Sequence, residues 1–137
     1  MLRNLFGGAM TMVIPKAMTD ISLIRQVPDH QEVFADALTD TSIIIEILES
    51  VPLPGLQALE YHYKQVSELN ADDHPQYQHL GALPLDALPK DTAFILNGHQ
   101  QAAKFNEHAK NSIAIHMALL RLPEHSTDIL ITMNTPT

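Results

Sequence analysis

The sequence contains no cysteine and no tryptophan, and only 8 of its 137 residues are lysine or arginine. The lack of cysteine excludes disulfides, thiolate metal sites and cysteine nucleophiles, and it agrees with a reducing intracellular compartment. No apolar run approaches the roughly 18 residues that a membrane-spanning helix needs. With a formal net charge of −8, the chain is poorly suited to nucleic acid or anionic membranes, because phosphate recognition needs clustered Lys and Arg.

The motifs of common enzymes and nucleotide-binding proteins are also missing. There is no GxSxG elbow, no GxGxxG after a strand and no GxxxxGK[ST]. Histidines are numerous, but none forms an HxxxH or HExxH pair. Only His74 and His79 lie near each other, and they are close to Asp72 and Asp73. The eight are His30, His62, His74, His79, His99, His108, His116 and His125. We therefore expect no metal, no cofactor and no catalytic residues.

The composition predicts a globular protein. With 45% hydrophobic residues, residues 1–137 are expected to form a single domain with a real core. The apolar residues 9–14 predict a buried strand, since Pro15 and the lack of a clear cleavage pattern disfavour a signal peptide. A short helical turn capped by Asp20 is predicted for residues 20–25, and a strand for residues 31–36.

Two helices are predicted next. Apolar residues after Asp40 fall at i, i+3, i+4 and i+7, the spacing of one buried helical stripe: Ile44, Ile47, Leu48 and Val51. Thr39 or Asp40 would cap this helix, and Pro52 would end it. A second helix is predicted from about residue 56 to residue 69, with its inner side formed by Leu56, Leu59, Tyr63 and Val66.

The sequence pattern of the second half of the chain predicts mainly β-strands. A loop is predicted at 70–75, a turn-rich connection at 84–91, and strands at 77–83, 92–96, 100–105, 112–122 and 127–133. Asn97-Gly98 predicts a hairpin, because both positions tolerate positive φ. A second hairpin is predicted around Pro123, with Arg121 paired to Asp128. Short links favour antiparallel pairing, so the predicted class is α+β: an α/β/α sandwich with a mostly antiparallel sheet of about six or seven strands flanked by helices.

Carboxylates gather between residues 29 and 49, namely Asp29, Glu32, Asp36, Asp40, Glu46 and Glu49. Like charges repel one another when they are close together, so a cluster of carboxylates leaves two interpretations open: a solvated surface, or a face that binds a basic partner. Glu46 and Glu49 are three positions apart and would be neighbours on the predicted helix. A third interpretation, a hydrolase that uses this pair for acid–base chemistry, requires a deep cleft beside the helix.

Sequence blocks over nearly the whole chain resemble the Ran guanine nucleotide release factor family, also called the Mog family. The VPDxQEVF block followed by TDxSxIxELLE is the specific part of the resemblance. The blocks occur in the family's order: LFGGA at 5–9, DISLIRQVPDHQEVF at 20–34, TDTSIIIEILE at 39–49, YHYKQV at 61–66, ILNGHQQAAKFNE at 95–107 and HMALLRLPEHSTDILIT at 116–132.

The resemblance implies a fold shared with the photosystem extrinsic protein PsbP. It also implies a non-enzymatic protein of nucleus and cytoplasm that binds the GTPase Ran, promotes nucleotide release and supports nucleocytoplasmic transport. A monomer is expected. By motif position it places Ran binding on the acidic helix, at Glu46 and Glu49, with Asp29, Gln31, Glu32 and Asp40 as neighbours. A PsbP-like structural or metal-associated module is the alternative. Family members continue into a further C-terminal helix, which is expected to be absent from a chain that stops at Thr137.

Overall fold

The computed structural model describes residues 1–69, 76–82, 93–103 and 110–136, which form two β-sheets and one α-helix. The strands are β1 Leu2–Leu5, β2 Met10–Val13, β3 Thr19–Asp20, β4 Gln31–Asp36, β5 Thr41–Glu49, β6 Gln76–Ala82, β7 Ala93–Ala103, β8 Lys110–Leu122 and β9 Thr127–Pro136, and the helix, α1, is Gly55–Leu69. Short 3-10 turns occupy Phe6–Gly8, Ile21–Leu23 and Pro123–His125. Nothing among the described helices is both long and apolar enough to cross a membrane.

The main sheet has seven strands in the order β3-β4-β5-β9-β8-β7-β6, and every neighbouring pair is antiparallel. This confirms the predicted mostly antiparallel α+β fold. The predicted hairpin around Pro123 is also confirmed, because β8 and β9 pair directly across that turn. The predictions for residues 70–75 and 84–91 lie outside the described residues.

The two faces of the sheet carry separate cores. We call them the helix face and the hairpin face. On the helix face, α1 packs over β7 and β8, and its fully buried Leu59 and Tyr63 belong to a core with Leu96, Ile115, Met117, Leu119 and Leu130. On the hairpin face, the β1–β2 hairpin and the chain after it bring Leu5, Ile14 and Met18 onto Phe34, Ile43, Ile45 and Ile129. The predicted inner stripe of α1 therefore holds, except that Leu56 is 39% exposed.

The predicted helix over residues 44–51 is wrong, because Thr41–Glu49 is the strand β5. The segment contains the consecutive β-branched residues Ile43, Ile44 and Ile45, which favour a pleated strand over a helix. Ile43 and Ile45 are buried on the hairpin face, while Ile44 is half-buried on the helix face. A strand with apolar residues on both faces has a continuous apolar run, and such a run also contains the i, i+3, i+4, i+7 spacing of a helix. Periodicity alone therefore predicted a helix where the chain forms a strand.

The predicted hairpin at Asn97-Gly98 is also wrong, because both residues lie within β7, which runs without interruption from Ala93 to Ala103. Gly98 serves a different purpose there. A Cβ at this position would collide with the hydroxyl group of Tyr63, which donates a hydrogen bond of 2.7 Å to the carbonyl of Gln76. A glycine in a strand can mark the close approach of another group as well as a turn.

Candidate binding surface

The acidic residues singled out by the sequence lie on β4, on β5 and in the turns next to them. Gln31 and Glu46 face each other across the β4–β5 pair, and the Gln31 Nε2 donates a hydrogen bond of 3.0 Å to the Glu46 carboxylate. Glu46 is half-buried, whereas Glu49 is exposed where β5 ends. Because residues on a strand alternate between faces, two positions three apart point to opposite sides. Glu46 therefore lies on the helix face and Glu49 on the hairpin face.

Asp29 joins these residues through a turn that is fixed at both ends. The amide of Gln31 donates to the carbonyl of Pro28 at 3.0 Å, and the amide of Ile47 donates to the carbonyl of His30 at 2.9 Å. The turn carrying the exposed Asp29 is thereby held against the last residues of β5. We call Asp29, Gln31, Glu46 and Glu49 the acidic end of the sheet.

Glu32 has an internal role. It lies opposite Ile45, on the hairpin face, and its carboxylate accepts a hydrogen bond of 2.8 Å from the backbone amide of Phe6. Phe6 begins a 3-10 turn with φ of 51°, a strained region for a non-glycine residue, so this bond helps to hold the turn in place. This contact ties β4 to the N-terminal segment.

Asp40 does not lie near the acidic end. It occupies the β4–β5 turn with φ of 57°, which Asp tolerates better than most residues, and its amide donates to the carbonyl of Asp36 at 2.9 Å. The length of β5, at about 3.3 Å per residue, separates this turn from Glu49 by about 26 Å. The expected grouping of Asp40 with Glu46 and Glu49 is thus wrong in space.

Among the described residues, the carboxylates of the acidic end form no ion pair; those of Asp29 and Glu49 are exposed and that of Glu46 is half-buried. Within the described ranges no Lys, Arg or His forms an ion pair with Asp29, Glu46 or Glu49. The ion pairs seen there are Arg121–Asp128 and Lys64–Glu60, and His62 lies 3.6 Å from the Asp128 carboxylate. Unneutralised charges of one sign raise the local concentration of the opposite charge. This end of the sheet therefore presents a negative surface to a basic partner.

A cavity of about 470 Å³ opens beside Glu49 and is lined by Ile47, Leu48, Glu49, Ser50, His125, Ser126 and Thr127. Glu46 is absent from its lining, since its side chain lies on the other face of the sheet. A hydrolase that uses two carboxylates needs both in one cleft. The separation of this pair by the sheet itself removes the basis for that hypothesis. Among the described residues, no three His, Asp or Glu side chains converge as metal ligands would.

The shifted titrations of the described residues occur at the opposite edge of the sheet. On α1, the hydrogen bond from Lys64 to Glu60 at 2.8 Å, together with the charge of Glu60, raises the pKa of Lys64. Partial burial raises the pKa of Tyr77 on β6, and a hydrogen bond with Glu60 adds to the effect. These groups lie beside β6, five strands away from β4 in the sheet order, and are not part of the acidic end.

Sequence reasoning missed an apolar pair at this end of the molecule. Leu23 is 80% exposed and Ile24 is 72% exposed, in and just after the 3-10 turn that packs against β4. The exposed state of two large apolar residues in succession is a signal that only the folded chain gives. Nothing in their spacing distinguishes them from residues that fold inward.

Comparison with known proteins gives a consistent result. A family model described as "Ran-interacting Mog1 protein" matches residues 3–136. The chain is 41% identical to the Ran guanine nucleotide release factor of Danio rerio, over 99% of this chain and 78% of that protein. It is 35% identical to the nuclear import protein MOG1 of Saccharomyces cerevisiae, over 97% of this chain and 65% of that protein.

The fold agrees with the sequence matches. A crystal structure described as the Saccharomyces cerevisiae Ran-binding protein Mog1p superposes on this chain with a TM-score of 0.84 and 28% sequence identity. The superposition covers 100% of this chain and 77% of that one. With a family model that matches almost every residue and a fold that agrees, the chain belongs to the Ran-interacting Mog1 protein family.

Proposed function

We propose that this chain binds a Ran-type GTPase through the acidic end and promotes release of its guanine nucleotide, in support of nucleocytoplasmic transport. The family description and the names of the relatives, a Ran guanine nucleotide release factor and a nuclear import protein, support the partner and the process. The observation that carries the site is the group of exposed Asp29, half-buried Glu46 and exposed Glu49, with which no cation of the described residues forms an ion pair.

The mechanism follows from linkage. Bound nucleotide stabilises the loaded GTPase by mass action, so a release factor must bind the nucleotide-free form better than the loaded form. Basic side chains that hold phosphate lose their anionic ligand when the nucleotide leaves. Carboxylates such as Glu46 and Glu49 supply replacement negative charge at that moment, and this differential affinity shifts the equilibrium toward release.

In this proposal the chain acts as one monomeric domain, residues 1–137, in nucleus and cytoplasm. It needs no cofactor and no catalytic residues of its own, because nucleotide release is a change of binding equilibrium and breaks no covalent bond. Within the acidic end, Gln31 orients Glu46 through their hydrogen bond of 3.0 Å, while Glu49 is free to meet the partner.

The test measures release of fluorescent GDP from Ran with and without this protein. The wild type should accelerate release, and the Glu46→Gln, Glu49→Gln variant should bind nucleotide-free Ran at least about tenfold more weakly, since close charge pairs contribute strongly to such interfaces. Asp40→Asn is the matched control. It removes one carboxylate at the opposite end of β5, keeps a side chain that tolerates positive φ, and should change affinity by less than about twofold.

Two results would overturn the proposal. One is a wild-type protein that neither binds Ran nor changes the release rate. The other is a wild-type protein that is active but equally sensitive to Asp40→Asn and to Glu46→Gln, Glu49→Gln, because the effect would then follow overall charge and not this surface.

A further inference from the structure

Leu23 and Ile24 are exposed to solvent at 80% and 72%. Single exposed apolar residues are common on protein surfaces, but adjacent ones form a patch whose burial releases water from both side chains. No described part of the chain covers them. The free protein therefore keeps two large aliphatic side chains in water at one defined place.

The backbone that presents them is held by several local hydrogen bonds. The Asp20 carboxylate caps the 3-10 turn by accepting hydrogen bonds from the Ser22 amide at 2.9 Å and the Ser22 hydroxyl at 2.7 Å. The amides of Ile24 and Arg25 both donate to the carbonyl of Ile21, at 2.9 and 3.0 Å. An exposed apolar segment with this many local bonds loses little conformational freedom on binding, which is how a preorganised contact gains affinity.

The sheet register places this turn beside the acidic end. Thr19 and Asp20 pair with Ala35 and Phe34, so the chain that leaves β3 runs antiparallel to β4, toward its first residue, Gln31. The turn packs against β4, and Gln31 is bonded to Glu46 on the next strand. The turn that carries the apolar pair thus packs on the same strand, β4, whose first residue belongs to the acidic end.

We propose that Leu23 and Ile24 form the apolar anchor of the surface that binds the GTPase, with the acidic end as its charged rim. This inference rests on the proposed function. The complementary site on the partner is an apolar spot bordered by Lys or Arg. Protein interfaces combine a small apolar centre that supplies most of the binding energy with polar surroundings that supply orientation and speed of encounter.

The division of work between the two parts is measurable. Long-range attraction between charges acts on the association rate and weakens as salt is added. Burial of apolar side chains acts after encounter, so its loss appears in the dissociation rate and depends little on salt. Removal of the apolar anchor should therefore raise the dissociation rate, whereas removal of the charged rim should lower the association rate.

The test uses the full chain and nucleotide-free Ran, with binding kinetics recorded by surface plasmon resonance at low and high salt. Leu23→Ser, Ile24→Ser should raise the dissociation rate at least about tenfold at both salt concentrations, as expected for loss of an anchor. Glu46→Gln, Glu49→Gln should instead lower the association rate and flatten its salt dependence. Leu38→Ser is the matched control: Leu38 is 95% exposed in the β4–β5 turn, away from the acidic end, and its loss should change neither rate.

Failure of this inference is separable from failure of the proposed function. If the wild type does not bind Ran, the function itself is wrong. If the wild type binds and Leu23→Ser, Ile24→Ser binds equally well, only the anchor is wrong. Should sedimentation show that this variant abolishes self-association while Ran affinity stays unchanged, the pair serves a second copy of the chain and the inference is overturned. Thermal unfolding confirms that the variants are folded, and Leu23→Gln, Ile24→Gln provides a second pair if the serine variant is not.

Discussion

Asp128 is the least exposed charged residue that the structure describes, and its carboxylate lies in a network of polar contacts. Its Oδ1 accepts hydrogen bonds of 3.0 Å from the Arg121 Nε and from the Ser50 hydroxyl, and its Oδ2 lies 3.6 Å from the His62 Nε2. Arg121 also donates to the carbonyls of Val51 and Leu53, in the connection between β5 and α1. A buried carboxylate is tolerated only when it is paired and hydrogen-bonded, and the contacts of Oδ1 with Arg121 and Ser50 meet that condition, although Oδ2 has no hydrogen-bond partner among the described residues.

Replacing Arg121 with Ala should therefore be costly. The change leaves Asp128 buried without its cation and frees two carbonyls of the β5–α1 connection, so the free energy of unfolding should fall by about 3–5 kcal/mol. Urea denaturation measures the loss. Lys64→Ala is the control, because the Lys64–Glu60 pair lies in contact with solvent and its loss should change the free energy of unfolding far less.

A second substitution isolates the cause of that loss. Adding Asp128→Asn to Arg121→Ala removes the unpaired charge and should recover part of the stability. If the double variant is no more stable than Arg121→Ala, the cost does not come from the buried carboxylate. A loss below about 1 kcal/mol for Arg121→Ala alone would show that the network is not needed for stability.

At the scale of elements, β5 decides how the acidic residues are arranged, and its own assignment is testable. In a strand, Ile45 is fully buried on the hairpin face while Ile44 is half-buried on the opposite face. In the helix first predicted, Ile44 belonged to the inner stripe and Ile45 did not. The strand therefore buries Ile45 more than Ile44, whereas the predicted helix would bury Ile44 more than Ile45.

Ile45→Ala should lower the free energy of unfolding by about 2–5 kcal/mol, the usual cost of truncating a fully buried isoleucine. Ile44→Ala should cost clearly less, since part of that side chain is already in water. Chemical denaturation of both variants under one set of conditions gives the comparison. The reverse order of the two losses would argue for the helix and against the strand.

The elements that could be predicted are those whose sequence pattern fits only one type of secondary structure. The stripe of Leu59, Tyr63 and Val66 fits only a helix, and α1 was predicted within one residue of its actual start. The Pro123 turn and the Arg121–Asp128 pair also followed, because a short link between two apolar strands forces them side by side. The predictions for β5 and for Asn97-Gly98 were wrong because each pattern fits two structures. A run with apolar residues on both faces fits a helix or a buried strand, and a glycine fits a turn or a close contact within a strand.

At the scale of the whole molecule, a net charge of −8 and an acidic end that forms no ion pair within the described part of the chain predict electrostatic steering toward a basic protein. The rate of association with nucleotide-free Ran should fall on the order of tenfold between low salt and about 0.5 M NaCl, because added ions screen charges beyond a few ångströms. Stopped-flow fluorescence measures this rate. An association rate that does not change with salt would contradict steering, whatever the affinity.

The sequence by itself determined the family, the antiparallel class of the sheet, the helix α1 and the concentration of carboxylates between residues 29 and 49, because these depend on local pattern and composition. Only the tertiary structure decided where each carboxylate lies and what it contacts. Hydrogen-bond register put Glu46 and Glu49 on opposite faces, tied Glu32 to the distant Phe6 amide, moved Asp40 to the far end of β5 and set Leu23 and Ile24 beside the acidic end. Register joins residues that are far apart in the chain, so no local pattern contains this information.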